Sequence, residues 1–258
     1  MTERLSAITL NTFREAVRDR VLYNLIVFVL LLLASAPLFS QISIGMERLI
    51  LVNVGLSSIS LFGVLIAIFI GIGLVSKEIE KKTLYTILSR PVRRWEFIVG
   101  KYLGLMLTLT VNALLMTLGF YIALFITDRG LHAGDAPLLV SVYFSLLQFL
   151  IVTAVTLLFS SFSTPIFSAI FAFALFVIGT FADDLRDFAS AAHGLTGLLA
   201  TGTAYLVPNF STLNVISRVA HDQRIAGALI IYNSVYALLY SAAVTAAAVL
   251  VFERRNLK

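Results

Sequence analysis

The sequence predicts an all-α polytopic membrane protein with six membrane-spanning helices. Of its 258 residues, 59% are apolar, and the mean hydropathy of +0.97 exceeds what a soluble domain of this size can bury. A helix needs roughly 20 mostly apolar residues to cross a hydrocarbon core about 30 Å thick. Six runs come close to that length or exceed it, the fifth being the shortest: residues 21–40, 51–75, 102–126, 138–159, 165–182 and 229–252.

Basic residues predict how these spans are oriented. With six spans, fourteen of the 19 Lys and Arg residues fall on one side of the membrane. The other side keeps five: Arg48, Arg129, Arg186, Arg218 and Arg224. Because loops rich in basic residues stay in the cytoplasm, both termini are predicted to be cytoplasmic. The net charge of +5 therefore reflects topology and indicates no nucleic-acid partner.

Residues 1–20 have the pattern of an interfacial helix. Charged and amide side chains surround one largely apolar face, which is formed by Leu5, Ile8, Thr12, Phe13, Ala16 and Val17. Such a helix lies in the headgroup layer of the bilayer. It either braces the first span and offers its basic side to a cytoplasmic partner, or it is a membrane anchor with no partner.

Residues 76–101 follow the second span and are predicted to form a cytoplasmic coupling segment. A helical line runs along the first half of the segment: Ile79, Thr83 and Ile87. Pro91 disfavours helical geometry at the preceding residue and suits the first turn of a new helix. That helix carries Trp95 to the interface and continues into the third span. The pattern predicts a helix, a kink and a second helix, and the alternative is a charged loop with no further role.

Three short patterns occur in this segment: E-x-E-x-x-T-L, L-S-R-P-V-x-R and G-K. They comprise Glu78, Glu80, Thr83, Leu84, Leu88, Pro91, Arg94, Gly100 and Lys101. Together they resemble the ABC-2 type transporter permease family. The N-terminal NTFREAVRDRVLY is similar to that family's entry helix, and YLVPNFSTLN, residues 205–214, is similar to a segment before its last span.

The resemblance implies a membrane subunit of an ABC transporter in a bacterial cytoplasmic (inner) membrane. Such a transporter has two permease subunits, here the same or a homologous chain, and two separate ATP-binding subunits. The segment after the second span docks on the ATP-binding subunit. The implied contacts are Glu78, Glu80, Thr83, Arg90, Arg93 and Arg94. A stiff helix joined to two spans transmits closure of the ATPase to those spans.

The chain shows no P-loop of its own. That motif needs Ser or Thr after its Gly-Lys pair and a glycine five positions earlier, whereas Gly100-Lys101 is followed by Tyr102 and preceded at that distance by Trp95. Gly100 with Gly104 instead forms a small-xxx-small pair, which predicts close helix packing. This chain is therefore expected to bind no cofactor and to catalyse no reaction, with ATP and Mg²⁺ bound in the partner subunit.

Residues 183–228 form the one sizeable outer segment. Within it, residues 194–207 are apolar but too few to cross the membrane. A short re-entrant or interfacial helix that ends at Pro208 is the predicted structure. It either shields the outer exit of a transport path or packs over the helix bundle.

No ionisable residue lies well inside any predicted span, which argues against coupling to protons or sodium. Polar residues near mid-membrane include Asn112 and Gln148, and Tyr240 lies deep in the sixth span. These three residues are the candidate transport path. Such groups also join helices by hydrogen bonds, which is the alternative. A path lined in this way suits lipid-like or hydrophobic cargo.

The function predicted is that of a permease subunit of an ATP-driven exporter. One alternative is a membrane scaffold or sensor that recruits an ATPase without moving cargo. Another is an intramembrane hydrolase that uses an outer acidic and histidine cluster: Asp183, Asp184, Asp187, His193, His221 and Asp222. These residues do not form an HExxH motif or a comparable ligand pair, so no metal site is predicted.

Overall fold

The structure is a computed structural model that describes residues 2–17, 27–28, 47–80, 93–128, 130, 135–191, 194–221 and 223–254. Across these ranges the chain forms nine helices and no strand. They are α1 (Thr2–Ala16), α2 (Glu47–Glu80), α3 (Arg94–Asp128), α4 (Leu138–Phe162), α5 (Pro165–Thr180), α6 (Ala182–Ala191), α7 (Gly194–Leu206), α8 (Ile216–Ala220) and α9 (Gly227–Arg254).

Four of these helices are long and apolar enough to cross a membrane, namely α2, α3, α4 and α9. Helices α5 and α6 meet at a bend of 65° and together count as a fifth, broken span or as a re-entrant loop. An all-α polytopic architecture is therefore confirmed for the part of the chain that the structure describes. The first predicted span, residues 21–40, lies outside the described residues apart from Val27 and Phe28, so the number six stays a prediction.

Helix α4 occupies the centre of the bundle and packs against α2, α3, α5 and α9. It has no charged residue between Leu138 and Phe162. Close contact with α2 depends on Gly63, because a Cβ atom at that position would overlap the ring of Phe149 on α4. Small residues at helix contacts allow backbones to approach in this way. The α2–α4 pair therefore forms the rigid centre of the protein.

Helix α1 packs along the N-terminal end of α3. The first span, which α1 is predicted to brace, lies almost wholly outside the described residues, so that role stays a prediction. The buried face of α1 lies over a groove made by Gly100 and Gly104, which face Ile8 and Thr12 respectively. A side chain at either glycine would occupy the space of the α1 residue. The small-xxx-small pair thus holds the N-terminal helix rather than a second membrane span.

Helices α6 and α7 pack against each other as a hairpin beyond the end of α5. Helix α7 has 13 residues, a length of about 20 Å, too short to cross a hydrocarbon core. The chain leaves α5 at Gly179 and returns to the same place, where the N–H of Phe210 donates to the Gly179 carbonyl at 2.9 Å. The base of the hairpin is therefore closed against the end of α5, and its re-entry into the bilayer stays a prediction.

Candidate functional site

The predicted coupling segment is described at both of its ends. Glu78 and Glu80 lie in the last turn of α2, which continues without a break from the candidate span Arg48–Leu74. Arg93 directly precedes α3 and has an exposed side chain. Thr83 and Arg90 lie outside the described residues. The segment therefore begins as a direct extension of one membrane helix and ends at the start of the next.

The start of α3 is stabilised by Glu96. Its carboxylate accepts the backbone N–H of Arg93 at 3.0 Å, which is the arrangement of a glutamate reaching back from the third helical position in a capping box. Glu96 is only 3% exposed. This contact fixes the point where the chain enters α3 and leaves the Arg93 side chain on the surface.

Arg94 is bound to the last helix. Its Nη1 atom donates to the backbone carbonyl of Glu253 at 2.8 Å and lies 3.5 Å from that of Phe252. A cation at the C-terminal end of a helix interacts favourably with the unpaired carbonyls and the helix dipole. The rings of Phe97 and Phe252 stack beside it with centroids 5.7 Å apart. Arg94 therefore joins α3 to α9, and its predicted contact with another subunit stays a prediction.

Lys101 is the most buried cation in the described part of the chain, with 2% of its surface exposed. Its ammonium group lies 3.3 Å from the Glu15 carboxylate on α1 and 5.6 Å from the centroid of the Phe97 ring. Both contacts are attractive for a lysine side chain. Sequence reasoning assigns Lys101 to a basic cytoplasmic segment and misses its role as a buried contact between α3 and α1. The position of Lys101 in the apolar helix that follows Trp95 is the sequence signal that could have indicated burial.

The three candidate path residues belong to three separate environments. Gln148 accepts a hydrogen bond from Ser60 at 2.9 Å, which joins α4 to α2. Tyr240 donates to the Leu206 carbonyl at 2.9 Å, which joins α9 to the end of α7. Asn112 is 2% exposed, and neither polar atom of its amide has a hydrogen-bond partner in the described structure.

The outer acidic and histidine cluster is partly described. Asp183 accepts a hydrogen bond from Asn209 at 3.0 Å and lies 3.7 Å from Arg186, while the Nδ1 of His221 lies 2.8 Å from the Ser217 carbonyl. His193 and Asp222 are outside the described residues. Among the described residues, no group of three His, Cys, Asp or Glu side chains is placed to hold a metal ion.

Asn209, within the YLVPNFSTLN segment, organises the base of the α6–α7 hairpin. Its side-chain carbonyl accepts the backbone N–H groups of Ser211 at 3.1 Å and Thr212 at 3.3 Å, as in an Asx turn. Its own N–H donates to the Tyr236 hydroxyl on α9 at 2.8 Å. With its bond to Asp183, this one residue joins α6, the following loop and α9. Sequence reasoning noted the segment without identifying this residue.

A cavity of about 150 Å³ lies between α2, α4, α5 and the loop before α8, at the predicted outer end of the bundle. Its lining includes hydroxyl and amide side chains: Ser57, Ser60, Ser141, Ser145, Gln148, Thr180 and Asn214. Phe176 and Phe210 are among the apolar lining residues. Gln148 is the one candidate path residue that lines this cavity.

Long apolar helices around an uncharged central helix define this chain as a multi-pass helical membrane protein. A family model described as ABC-2 family transporter protein matches residues 6–257, almost the whole chain. The chain therefore belongs to the ABC-2 transporter family, in agreement with the resemblance found in its sequence, and is a permease component that is not itself catalytic. A comparison with curated proteins gives no match.

Proposed function

We propose that this chain is the permease subunit of an ATP-driven exporter, assembled with two ATP-binding subunits and a second permease chain of the same or a homologous kind. The observation that carries the proposal is the family match over residues 6–257. In this proposal ATP and Mg²⁺ bind in the partner subunits. Both termini lie in the cytoplasm, and the membrane is a bacterial cytoplasmic (inner) membrane.

The ATP-binding subunit docks on the coupling segment in this proposal, at Glu78, Glu80, Thr83, Arg90 and Arg93. Support comes from the continuity of α2, which extends six residues beyond the candidate span that ends at Leu74, about 9 Å of helix. A displacement of the docked ends therefore moves whole spans rather than a loop.

Arg94 has a different part in this mechanism, because its guanidinium is engaged with α9. Through that contact and through the α1 groove, the inner end of α3 is joined to the first and last described helices. A push on the coupling segment then moves α1, α3 and α9 together. We assign Arg93 to docking and Arg94 to this transmission.

The experiment that tests the proposal is affinity purification of the tagged chain from its host in mild detergent, followed by mass spectrometry. We expect an ATP-binding protein in stoichiometric amount. Arg93→Glu is expected to reduce its recovery at least about tenfold, because charge reversal in a docking contact costs several kcal/mol. Arg218→Glu, an exposed arginine on α8 at the predicted outer side, is the matched control and is expected to retain the partner.

Recovery of the intact, folded permease without an ATP-binding protein would contradict the proposal. Transport and scaffold functions are separated by a second measurement. In proteoliposomes, ATP hydrolysis by a transporter changes when cargo is supplied, whereas a scaffold shows hydrolysis that is independent of cargo. The assignment of Arg93 to the docking contact is wrong if the Arg93→Glu and Arg218→Glu chains retain the ATP-binding protein equally.

A further inference from the structure

The cavity at the predicted outer end of the bundle contains a hydroxyl group that the protein itself does not satisfy. Ser141 is 1% exposed and lines the cavity, yet its Oγ atom has no hydrogen-bond partner among the described residues. A buried polar group without a partner costs free energy. The cavity offers the room for that partner, since its volume of about 150 Å³ is several times the roughly 10–15 Å³ that one water molecule needs.

The chemistry of the polar wall selects an uncharged partner. Hydroxyl and amide groups both donate and accept hydrogen bonds, and Ser60 with Gln148 already forms such a pair at 2.9 Å. None of the described residues that line the cavity is charged. Moving an ionised headgroup into this place would remove its hydration without a counter-charge, which is strongly unfavourable. A hydroxyl group that both donates and accepts fits this wall.

The surroundings of the cavity favour an amphiphile as the partner. Leu61, another lining residue, is 50% exposed and lies within the candidate span Arg48–Leu74, so the cavity adjoins an exposed apolar part of that helix. Asn214, a lining residue in the predicted outer segment, is also exposed. Phe176 and Phe210 are among the apolar lining residues. A headgroup can enter at this point while its acyl chains remain in the bilayer.

We propose that this cavity binds the hydroxyl-bearing headgroup of an uncharged amphiphile, with Ser141 and Gln148 hydrogen-bonded to that headgroup. The proposal rests on the proposed function as a permease and adds to it the class of molecule that the outer half of the protein recognises. It assigns binding to this chain alone, without the ATP-binding subunit.

The test is binding of two lipids to the purified permease, measured by native mass spectrometry. Dioleoylglycerol and dioleoylphosphatidylglycerol carry the same acyl chains. In the second lipid an anionic phosphate, which carries a further glycerol with two hydroxyl groups, replaces the free hydroxyl of the first. We expect dioleoylglycerol to bind at least about tenfold more tightly. Ser141→Ala, which removes a neutral hydrogen bond, is expected to weaken dioleoylglycerol binding about 3- to 10-fold. Ser141→Leu, which also fills the cavity, is expected to abolish it.

Ser168→Ala is the matched control. Ser168 on α5 is also buried with no hydrogen-bond partner in the described structure, but it does not line the cavity. This variant is expected to bind dioleoylglycerol as the unaltered protein does. Equal binding by the Ser141→Ala and Ser168→Ala proteins, or equal binding of the two lipids, would overturn the proposal.

A second readout tests the proposal even if the Ser141→Ala or Ser141→Leu variant fails to fold. The chain has no cysteine, so Ser141→Cys introduces a single thiol with little change in volume. Dioleoylglycerol is expected to slow its modification by methyl methanethiosulfonate at least about threefold, and dioleoylphosphatidylglycerol is not. If neither lipid slows the reaction, the cavity holds water only and the proposal fails. Because no ATPase takes part, that result leaves the proposed permease function standing.

Discussion

Lys101 shows at the scale of a residue how the N-terminal end of α3 is held. A lysine that is 2% exposed has lost most of its hydration, and burial is tolerated where other groups replace it. Here the Glu15 carboxylate and the face of Phe97 contribute to that replacement. The contact joins helices whose residues are 86 positions apart in the chain, so it also fixes where α1 lies.

The two partners of this ion pair are expected to respond differently to removal. Glu15→Gln leaves the buried ammonium without its anion and is expected to lower the free energy of unfolding by about 1–2 kcal/mol. Lys101→Met leaves a carboxylate that is 39% exposed and can be hydrated, so a cost below about 1 kcal/mol is expected. Thermal unfolding in detergent, followed by the fluorescence of the single tryptophan, Trp95, measures both. A larger loss for Lys101→Met would contradict this account.

Sequence reasoning at this scale identifies the residues of the coupling segment but not their partners. Arg94 and Lys101 both stand in the motif that resembles the family, and charge alone assigns them to the cytoplasmic surface. The structure has Arg94 bound to a carbonyl 159 positions away and Lys101 bound to α1. Neither partner is visible in a local pattern, because no periodicity relates residues so distant in the chain.

At the scale of the element, glycine positions on α2 and α3 decide which helices touch. Gly63 accepts the Phe149 ring, and the Gly100–Gly104 groove accepts α1. Such contacts fix the separation of the helix axes. In a bilayer, apolar side chains gain little free energy by leaving the lipid, so close packing supplies much of the free energy of helix association.

Gly63→Ala is expected to destabilise the protein. The added methyl group overlaps the Phe149 ring, and overpacking of this kind typically costs about 1–3 kcal/mol, or a fall of roughly 3–10 °C in the unfolding midpoint. Gly202→Ala is the control, because Gly202 on α7 has nothing within 4 Å of the position of an added Cβ. That variant is expected to be neutral or slightly stabilising. Equal midpoints for the two variants would show that the α2–α4 contact is looser than the structure has it.

The apolar runs predict the long helices α2, α3, α4 and α9 well, because run length reports directly on the thickness of the bilayer. They do not predict that α2 continues to Glu80, since the last turn carries charged residues that end an apolar count. Nor do they predict the sharp bend after Thr180, where the apolar α5 gives way to an α6 that begins with acidic residues. Next to that bend, the base of the hairpin packs closely onto Gly179.

At the scale of the whole molecule, the distribution of basic residues predicts the orientation in the membrane. Because the chain has no cysteine, single cysteines report on each side without background. Asp184→Cys on α6 is expected to react with a membrane-impermeant maleimide added to intact cells, and Lys82→Cys is expected to react only after permeabilisation. Permeabilised cells supply the control, in which both variants react. The reverse pattern would invert the topology and place the coupling segment outside.

Composition and charge predict a polytopic membrane protein, and the motif in the coupling segment predicts its family. Neither predicts the cavity. Ser57, Ser60 and Ser141 are ordinary residues of apolar helices when read in order. Only the crossing of α2 and α4, set by glycines and aromatic rings, brings their hydroxyl groups to one space.

The groove that holds α1 also sets the order of events during synthesis. Helix α1 is made first, yet its seat on Gly100 and Gly104 is completed only about 90 residues later. At translation rates of about 5–20 residues per second, this delay is roughly 5–20 s. During that interval α1 lacks the two glycines against which it packs in the folded protein, so docking of α1 reports that α3 has been made.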